Sequence, residues 1–295
     1  MRSALDIYTD FFGLRERPFS LVPDPGFLFW SEPHRAAFTM LEYGILTRSP
    51  ITLITGEVGA GKTTLIHHLM QTLGQEAEVG LISNAHGDRG ELLRWVLMAF
   101  GQPTAPGADY VGLFAQFQEF LIKEYAGGRR VILIFDEAQN LGREALEELR
   151  MFTNINAFKD ELLQIVLVGQ PELRETIQRP DLVQFAQRVA ASFHLPAMDA
   201  AMLQGYVAHR MAVAGARRPV FLPATVEAIH AVTGGIPRLV NQLCDLALVY
   251  AFAREEMQIA PDIVQQVLDD GVFFGAGRSA AHVRVLRPRP LRVME

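Results

Sequence analysis

A glycine-rich stretch, TGEVGAGKTTL, runs from Thr55 to Leu65 and carries the residue types that bind a phosphate chain. It fits the pattern G-x-x-x-x-G-K-[ST], in which glycines let backbone N–H groups surround phosphate oxygens. Lys62 is placed to bridge the β- and γ-phosphates, Thr63 to bind Mg²⁺ and Thr64 to contact the α-phosphate. The pattern predicts a nucleoside triphosphate site at Gly56, Glu57, Val58, Gly59, Ala60, Gly61, Lys62, Thr63 and Thr64.

A second apolar run, VILIFDEAQN, ends in two carboxylates, Asp136 and Glu137. An aspartate at the carboxyl end of a strand beside a phosphate loop is suited to hold Mg²⁺ through its water shell. A glutamate next to it is suited to polarise an attacking water, which favours hydrolysis over binding alone. The structural alternative is an ordinary Asp-Glu helix cap. The single cysteine, Cys244, excludes an internal disulfide and a cysteine-based metal site.

The elements that must position these residues follow from the apolar pattern. Five short runs rich in β-branched residues alternate with segments of helical spacing, and near-continuous apolar runs are typical of strands buried on both faces. The alternation predicts an α/β fold with a doubly wound parallel sheet. The predicted strands are 51–55, 79–83, 131–135, 163–169 and 191–195.

After Leu195, helical patterns replace the strands. The predicted helices are 199–214, 223–232, 236–253 and 261–270, with prolines near two of their starts. We therefore expect an aromatic and proline-rich arm with a first helix at 1–50, an α/β core at 51–195, an all-helical lid at 196–270 and a basic tail at 271–295. The arm either packs on the domain as an extended segment or also forms a wall of the nucleotide-base pocket.

Charge and hydropathy limit the class of partner. A net charge of −6 argues against nucleic-acid binding over the whole surface. No apolar run approaches the roughly 18 residues of a membrane span, and Asp6 and Asp10 interrupt what would be the apolar core of a signal peptide. We therefore expect a cytoplasmic protein without integral membrane insertion. The arginine-rich tail is predicted to be disordered, as a solvated end or as an arm for nucleic acid, anionic lipid or a protein partner.

A resemblance to a known family rests on several motifs in their order along residues 8–270. The segments FFGLRERPFSLVPDPGFLF, GEVGAGKTT, FDEAQNL, LQIVLVGQPEL, QRV and GGIPRLVNQLCDLAL resemble the ExeA-type (general secretion pathway protein A) branch of the AAA+ ATPases. That branch is similar to the TniB and TnsC types of transposition ATPase. The resemblance implies a P-loop NTPase AAA+ core with a five-stranded sheet, a helical lid, the Walker A and Walker B motifs, and ATP with Mg²⁺ as ligands.

The resemblance also implies roles for residues outside these two motifs. Gln170 matches the sensor at the end of the fourth core strand, and Arg238 the lid-borne sensor arginine. Arg188 matches the arginine finger that reaches a neighbouring subunit's ATP, with Arg179 as the second candidate. A finger that acts in trans makes activity depend on assembly, so the resemblance implies a homo-oligomer. The resemblance also favours ATP over GTP as the nucleotide. No base-specific motif in the sequence decides between the two.

Two biological roles stay open at this point. The first is an ATPase that drives or assembles a secretion or exopolysaccharide-export apparatus and contacts its proteins, located in the cytoplasm or peripherally at the inner membrane. The sequence stops before the membrane span and peptidoglycan-binding part of full-length secretion members, so the closer likeness is to short soluble members. The second role is a DNA-associated regulator of the transposition type, which the basic tail would serve. Glu137 argues against a third class, a nucleotide-dependent switch without turnover.

Overall fold

The computed structural model describes residues 7–22, 24–83, 91–157 and 160–274, and the chain divides into two compact units. One unit is Trp30–Pro196. The other combines the described residues of Met1–Phe29 with those of Ala197–Glu295. The predicted basic tail lies outside the described residues from position 275 onwards.

The unit Trp30–Pro196 is built around one five-stranded sheet, and the α/β fold class predicted from the sequence is confirmed. All neighbouring strands are parallel, in the order β2-β3-β4-β1-β5. Every residue of β1 and β4 is buried. The strands are β1 (Ile51–Gly56), β2 (Ala77–Ser83), β3 (Arg130–Asp136), β4 (Leu163–Gly169) and β5 (Val189–Leu195).

Helices cover both faces of this sheet. Alternate residues of a strand point to opposite faces, and they pack into two different cores. On β3, Leu133 and Phe135 pack into the core formed with α4, α5 and α6, whereas Ile132 and Ile134 pack toward α2 and α3. The helices of this unit are α2 (Glu32–Leu46), α3 (Lys62–Thr72), α4 (Glu91–Ala99), α5 (Tyr110–Ala126), α6 (Arg143–Phe152), α7 (Pro171–Ile177) and α8 (Val183–Ala186).

The second unit is helical. Its helices are α1 (Thr9–Phe12), α9 (Ala200–Val213), α10 (Pro223–Thr233), α11 (Pro237–Ala253) and α12 (Pro261–Asp269). The four predicted C-terminal helices are therefore confirmed, each within about one residue of its predicted bounds. None of the helices in the described ranges has the length and hydropathy that crossing a bilayer requires.

The predicted segment 1–50 is divided at Phe29, because its two parts belong to different cores. Tyr8, Phe12, Phe19 and Phe27 are buried in the core formed by α9, α10, α11 and α12. Backbone bonds reinforce this packing, since the Arg15 N–H donates to the Ala214 carbonyl over 2.7 Å. From Trp30 onwards the chain belongs to the α/β unit. Aromatic density predicts burial of the segment but does not say which core receives it.

Candidate active site

The phosphate-binding loop connects β1 to α3 and owes its shape to three glycines. Gly59 and Gly61 have φ of 80° and 94°, a region that side chains with a Cβ adopt rarely. Gly56 has no room for a side chain, because a Cβ there would lie 2.7 Å from the carbonyl oxygen of Leu195 on β5. The loop therefore requires glycine at these positions for both conformation and space.

The ammonium group of Lys62 is held inside this loop. Its Nζ donates to the carbonyl oxygens of Gly56 at 2.7 Å and Glu57 at 2.9 Å, and the residue is buried. Burial lowers the pKa of Lys62, and the carboxylates of Glu137 and Asp136 oppose that shift. The lysine thus lies at the loop's inner side, where the sequence pattern places a phosphate contact. Thr64 is half-buried in the first turn of α3.

The two residues predicted to bind metal contact each other directly. Thr63 Oγ1 donates to Asp136 Oδ2 over 2.7 Å, and Asp136 Oδ1 accepts from the Glu137 backbone N–H at 2.9 Å. The contact forms because the carboxyl ends of β1 and β3 open on the same edge of a parallel sheet. A hydroxyl and a carboxylate are the hard oxygen ligands that Mg²⁺ prefers, so this pair fits the ion.

Glu137 is held by two side-chain amides, one of which the sequence did not single out. Gln170 Nε2 and Gln139 Nε2 both donate to Glu137 Oε2, at 3.3 and 2.6 Å. Gln139 Oε1 in turn accepts from the Gln170 backbone N–H at 3.0 Å. The predicted sensor and the predicted base therefore lie together at the ends of β3 and β4. The only sequence signal for Gln139 was its place two residues after Glu137.

His34 is the second residue of this site that sequence reasoning missed. Its Nδ1 lies 2.6 Å from Ser31 Oγ and its Nε2 lies 3.2 Å from the carbonyl oxygen of Ala60, inside the phosphate-binding loop. A Cβ on Gly61 would lie 2.9 Å from the same Nε2. Burial lowers the pKa of His34. The Ser-x-x-His spacing at the start of α2 signals a helix cap, but not this contact with the loop.

The structure does not place Arg188 beside the phosphate-binding loop of its own chain. Arg188 precedes β5, whose first residue Val189 is paired with Ile51, the first residue of β1. The loop follows the other end of β1, a separation of roughly 20 Å for a strand of this length. The Arg188 guanidinium donates to Asn154 Oδ1 and lies 3.8 Å from Glu161 Oε1.

Arg179, the second candidate finger, is paired on the surface. It contacts Asp181 at 3.2 Å, and Arg143 contacts the same carboxylate at 3.1 Å. The Arg179 side chain is 61% exposed, compared with 33% for Arg188. Arg179 is thus the more accessible of the two and Arg188 the more firmly held.

Arg238 belongs to the helical unit, where it is exposed in the first turn of α11. The turn before it contains Gly234 and Gly235, with φ of 59° and 73°. Gly235 lies so close to the segment before α9 that a Cβ would be 1.8 Å from the Met198 carbonyl oxygen. Its own carbonyl accepts from the Met198 N–H at 3.0 Å. This contact fixes where α11 begins and hence where Arg238 emerges. Its role as a lid sensor stays a prediction.

Comparison with known proteins identifies the family. Residues 46–177 match the family described as AAA domain. The chain is 41% identical over 253 residues to general secretion pathway protein A of Aeromonas hydrophila, which covers 86% of this chain and 46% of that protein. The chain thus spans about half the length of the curated relative that it matches.

Solved structures with lower identity share the fold. Cdc6p of Pyrobaculum aerophilum superposes with a TM-score of 0.67 at 18% identity, covering 88% of this chain and 74% of that one. ORC2 of Aeropyrum pernix, described as ADPNP-ADP complexes, gives 0.60 at 20% identity, covering 80% of this chain and 66% of that one. Drosophila ORC bound to DNA gives 0.64 at 17% identity, covering 92% and 68%.

At these identities, the likenesses to solved structures show a shared fold and nothing more. The extended match to general secretion pathway protein A confirms the resemblance predicted from the motifs. Residues 46–177 thus carry an AAA domain, and most of the chain is similar to general secretion pathway protein A.

Proposed function

We propose that this chain is a Mg²⁺-dependent ATPase that hydrolyses ATP to ADP and phosphate. It acts as an oligomer and is part of a secretion or exopolysaccharide-export system. The observation that carries the chemical part is the 2.7 Å contact between Thr63 and Asp136, which joins the phosphate-binding loop to the carboxylate of β3. The family supports the same chemistry, since AAA+ proteins are ATPases.

Each residue of the site has a part in this proposal. The loop from Gly56 to Thr64 binds the phosphates through its N–H groups, and Lys62 neutralises their charge. Thr63 and Asp136 would hold Mg²⁺, which would supply positive charge to stabilise the phosphates. Glu137 orients the attacking water and accepts its proton, and its two amide partners keep its carboxylate in place.

Two substitutions separate binding from hydrolysis. Lys62→Ala removes the buried ammonium, so we expect loss of ATP binding in a fluorescence titration. Glu137→Gln keeps the side-chain shape but removes the base, so we expect ATP to bind and turnover to fall by at least about a hundredfold. Comparable turnover in the wild type and in Glu137→Gln would refute the hydrolytic role. Omission of Mg²⁺ should abolish turnover of the wild type.

The biological role rests on the relative. General secretion pathway protein A is named for secretion, and we propose that this chain likewise contacts proteins of an export apparatus, from the cytoplasm or peripherally at the inner membrane. The test is affinity purification of the tagged chain from its own cells with Glu137→Gln as the ATP-trapped form. Enrichment of envelope or polysaccharide-export proteins by that form is expected. Recovery of neither would refute the export role.

The alternative is a DNA-associated regulator of the transposition type. Two of the similar solved structures are described with DNA, but at 17% and 20% identity they share only the fold with this chain. The same purified protein decides the question. ATP-dependent binding to duplex DNA, weakening steeply as salt rises, would favour the alternative over export.

A further inference from the structure

A second pocket, of about 420 Å³, opens at the edge of the sheet opposite the phosphate-binding loop. Its inner wall contains Val131 at the start of β3, Gln164 at the start of β4 and Leu162 just before β4, all of them buried. The nucleotide site lies at the carboxyl ends of the strands, whereas this pocket lies at their amino ends. None of the residues assigned to ATP binding or hydrolysis lines it.

The inner wall carries two buried acceptor atoms. Gln164 is only 4% exposed, and its Nε2 donates to the carbonyl oxygens of Gly44 and Ile45, both at 3.1 Å. Its Oε1, like Oε2 of Glu161, is buried and accepts no hydrogen bond from the described residues. Leaving buried acceptors without donors is costly, and nearly all such atoms in proteins have a partner. A molecule that fits this wall therefore presents hydrogen-bond donors.

Three arginines and two carboxylates line the pocket near its rim. Arg48, Arg129 and Arg130 line it, against the carboxylates of Glu76 and Glu161. Other contacts hold each guanidinium in place: Arg129 pairs with Glu124 at 2.5 Å, Arg48 with Asp160 at 3.1 Å, and Arg130 donates to the Ile45 carbonyl at 2.9 Å.

A guanidinium has five N–H donors in a fixed fork, so one such bond leaves it able to bind an anion as well. Planar forks of this kind match phosphate oxygens well. The rim therefore suits a phosphate group, while the inner wall suits hydroxyl or amine donors.

We propose that this pocket binds a phosphorylated sugar, either free or as part of a nucleotide. The sugar hydroxyls donate to Gln164 Oε1 and Glu161 Oε2, and the phosphate accepts from the rim arginines. A pocket of this volume lies within the range of small-molecule sites. The pocket lies at the opposite ends of the strands from the phosphate-binding loop of the same chain, and its test measures binding, not turnover.

The experiment is a calorimetric titration of the full chain after the phosphate-binding loop has been saturated with ADP and Mg²⁺. The probes are glucose 6-phosphate and guanosine monophosphate, with inorganic phosphate and glucose as the two halves of the recognition chemistry. We expect one phosphorylated sugar per chain, bound at least about tenfold more tightly than phosphate or glucose. The probe that binds with the higher affinity shows whether the ligand is a free sugar phosphate or a nucleotide.

Three variants locate the site. Glu161→Gln replaces one acceptor oxygen with a donor, and Arg129→Gln removes one guanidinium, so each should weaken binding by at least about tenfold. Arg217→Gln alters an exposed arginine of the helical unit and should leave the affinity unchanged. Unfolding temperature and ADP affinity check that each variant is folded. The proposal is overturned if neither probe binds saturably at millimolar concentration, or if Glu161→Gln and Arg129→Gln bind as the wild type does.

Discussion

One carboxylate oxygen of Glu137, Oε2, accepts hydrogen bonds from the side-chain amides of Gln139 and Gln170. Two neutral donors therefore fix its position. Neutral donors position a carboxylate without pairing it with a full charge. Glu137 itself has a left-handed backbone, with φ of 55°, a conformation that non-glycine residues adopt rarely. Such backbone strain concentrates at functional sites, in agreement with the proposed role.

Gln139→Ala removes the shorter of the two amide contacts. We expect kcat for ATP to fall by about tenfold or more, because a catalytic carboxylate displaced by a fraction of an ångström is poorly aligned with its water. ATP affinity should stay unchanged, since Gln139 makes no contact with the phosphate-binding loop in the described structure. Steady-state kinetics with a separate binding titration checks this. Gln178→Ala, at the exposed end of α7, is the matched control.

The pH dependence of stability should report on His34. The Ala60 carbonyl can only accept, so Nε2 carries the proton and Nδ1 of the neutral ring accepts from the Ser31 hydroxyl. Folding lowers the pKa of His34 below its ordinary 6.5, so the unfolded chain binds the proton more readily. The stability that the neutral ring contributes is present above pH 6.5 and is lost as the pH falls.

Urea unfolding at about pH 7.5 and pH 5.5 measures this loss. The wild type should lose up to about 1.4 kcal/mol more than His34→Gln between the two values, which is the effect of one pKa unit. His67→Gln, on the exposed side of α3, should behave as the wild type. An equal loss in the wild type and His34→Gln would show that His34 does not contribute to the pH dependence.

At the scale of elements, the sequence predicts well those strands and helices that follow from the local pattern of apolar residues. The three central strands were predictable because both of their faces are buried, so their residues are mostly apolar. The contact of Thr63 with Asp136 was predictable from the rule that parallel strands end on a common edge. His34 and Gln139 were not, because their partners lie on other turns and loops whose approach no local pattern encodes.

Gly235 offers a test of how α11 is positioned. Gly235→Ala should lower the free energy of unfolding of the helical unit by at least about 3 kcal/mol, since its Cβ would overlap the Met198 backbone in addition to the strain of a positive φ. Gly234→Ala has the strain but no atom within 4 Å of the new Cβ, so about 1 kcal/mol is expected. Chemical denaturation of both variants gives the comparison. Equal losses would mean that the close approach to Met198 is unimportant.

At the scale of the whole molecule, the position of Arg188 agrees with the prediction that it completes the active site of a neighbouring chain. It lies at the opposite edge of the sheet from its own phosphate-binding loop, as a finger for a neighbouring subunit requires. We therefore predict that ATPase activity per chain rises with protein concentration. Arg188→Ala should bind ATP normally and lose turnover by about a thousandfold, as removal of a trans arginine does.

Mixing identifies which arginine acts in trans. A mixture of Arg188→Ala chains and Lys62→Ala chains should recover part of the activity. The intact phosphate-binding loop of an Arg188→Ala chain can then meet the intact Arg188 of a Lys62→Ala chain. Arg179→Ala is the matched variant and should retain the wild-type rate if Arg188 is the finger. If Arg179→Ala loses turnover and Arg188→Ala keeps it, the two assignments are exchanged.

The core of the helical unit combines residues from both ends of the chain, and this has a consequence for synthesis on the ribosome. Tyr8, Phe12, Phe19 and Phe27 are buried by helices that begin only at Ala200, after the whole of Trp30–Pro196 has been made. At bacterial or eukaryotic translation rates the wait is on the order of ten seconds or more. During that time these aromatic side chains lack their final cover and are exposed to chaperones and to aggregation, while the α/β unit already has a complete core of its own.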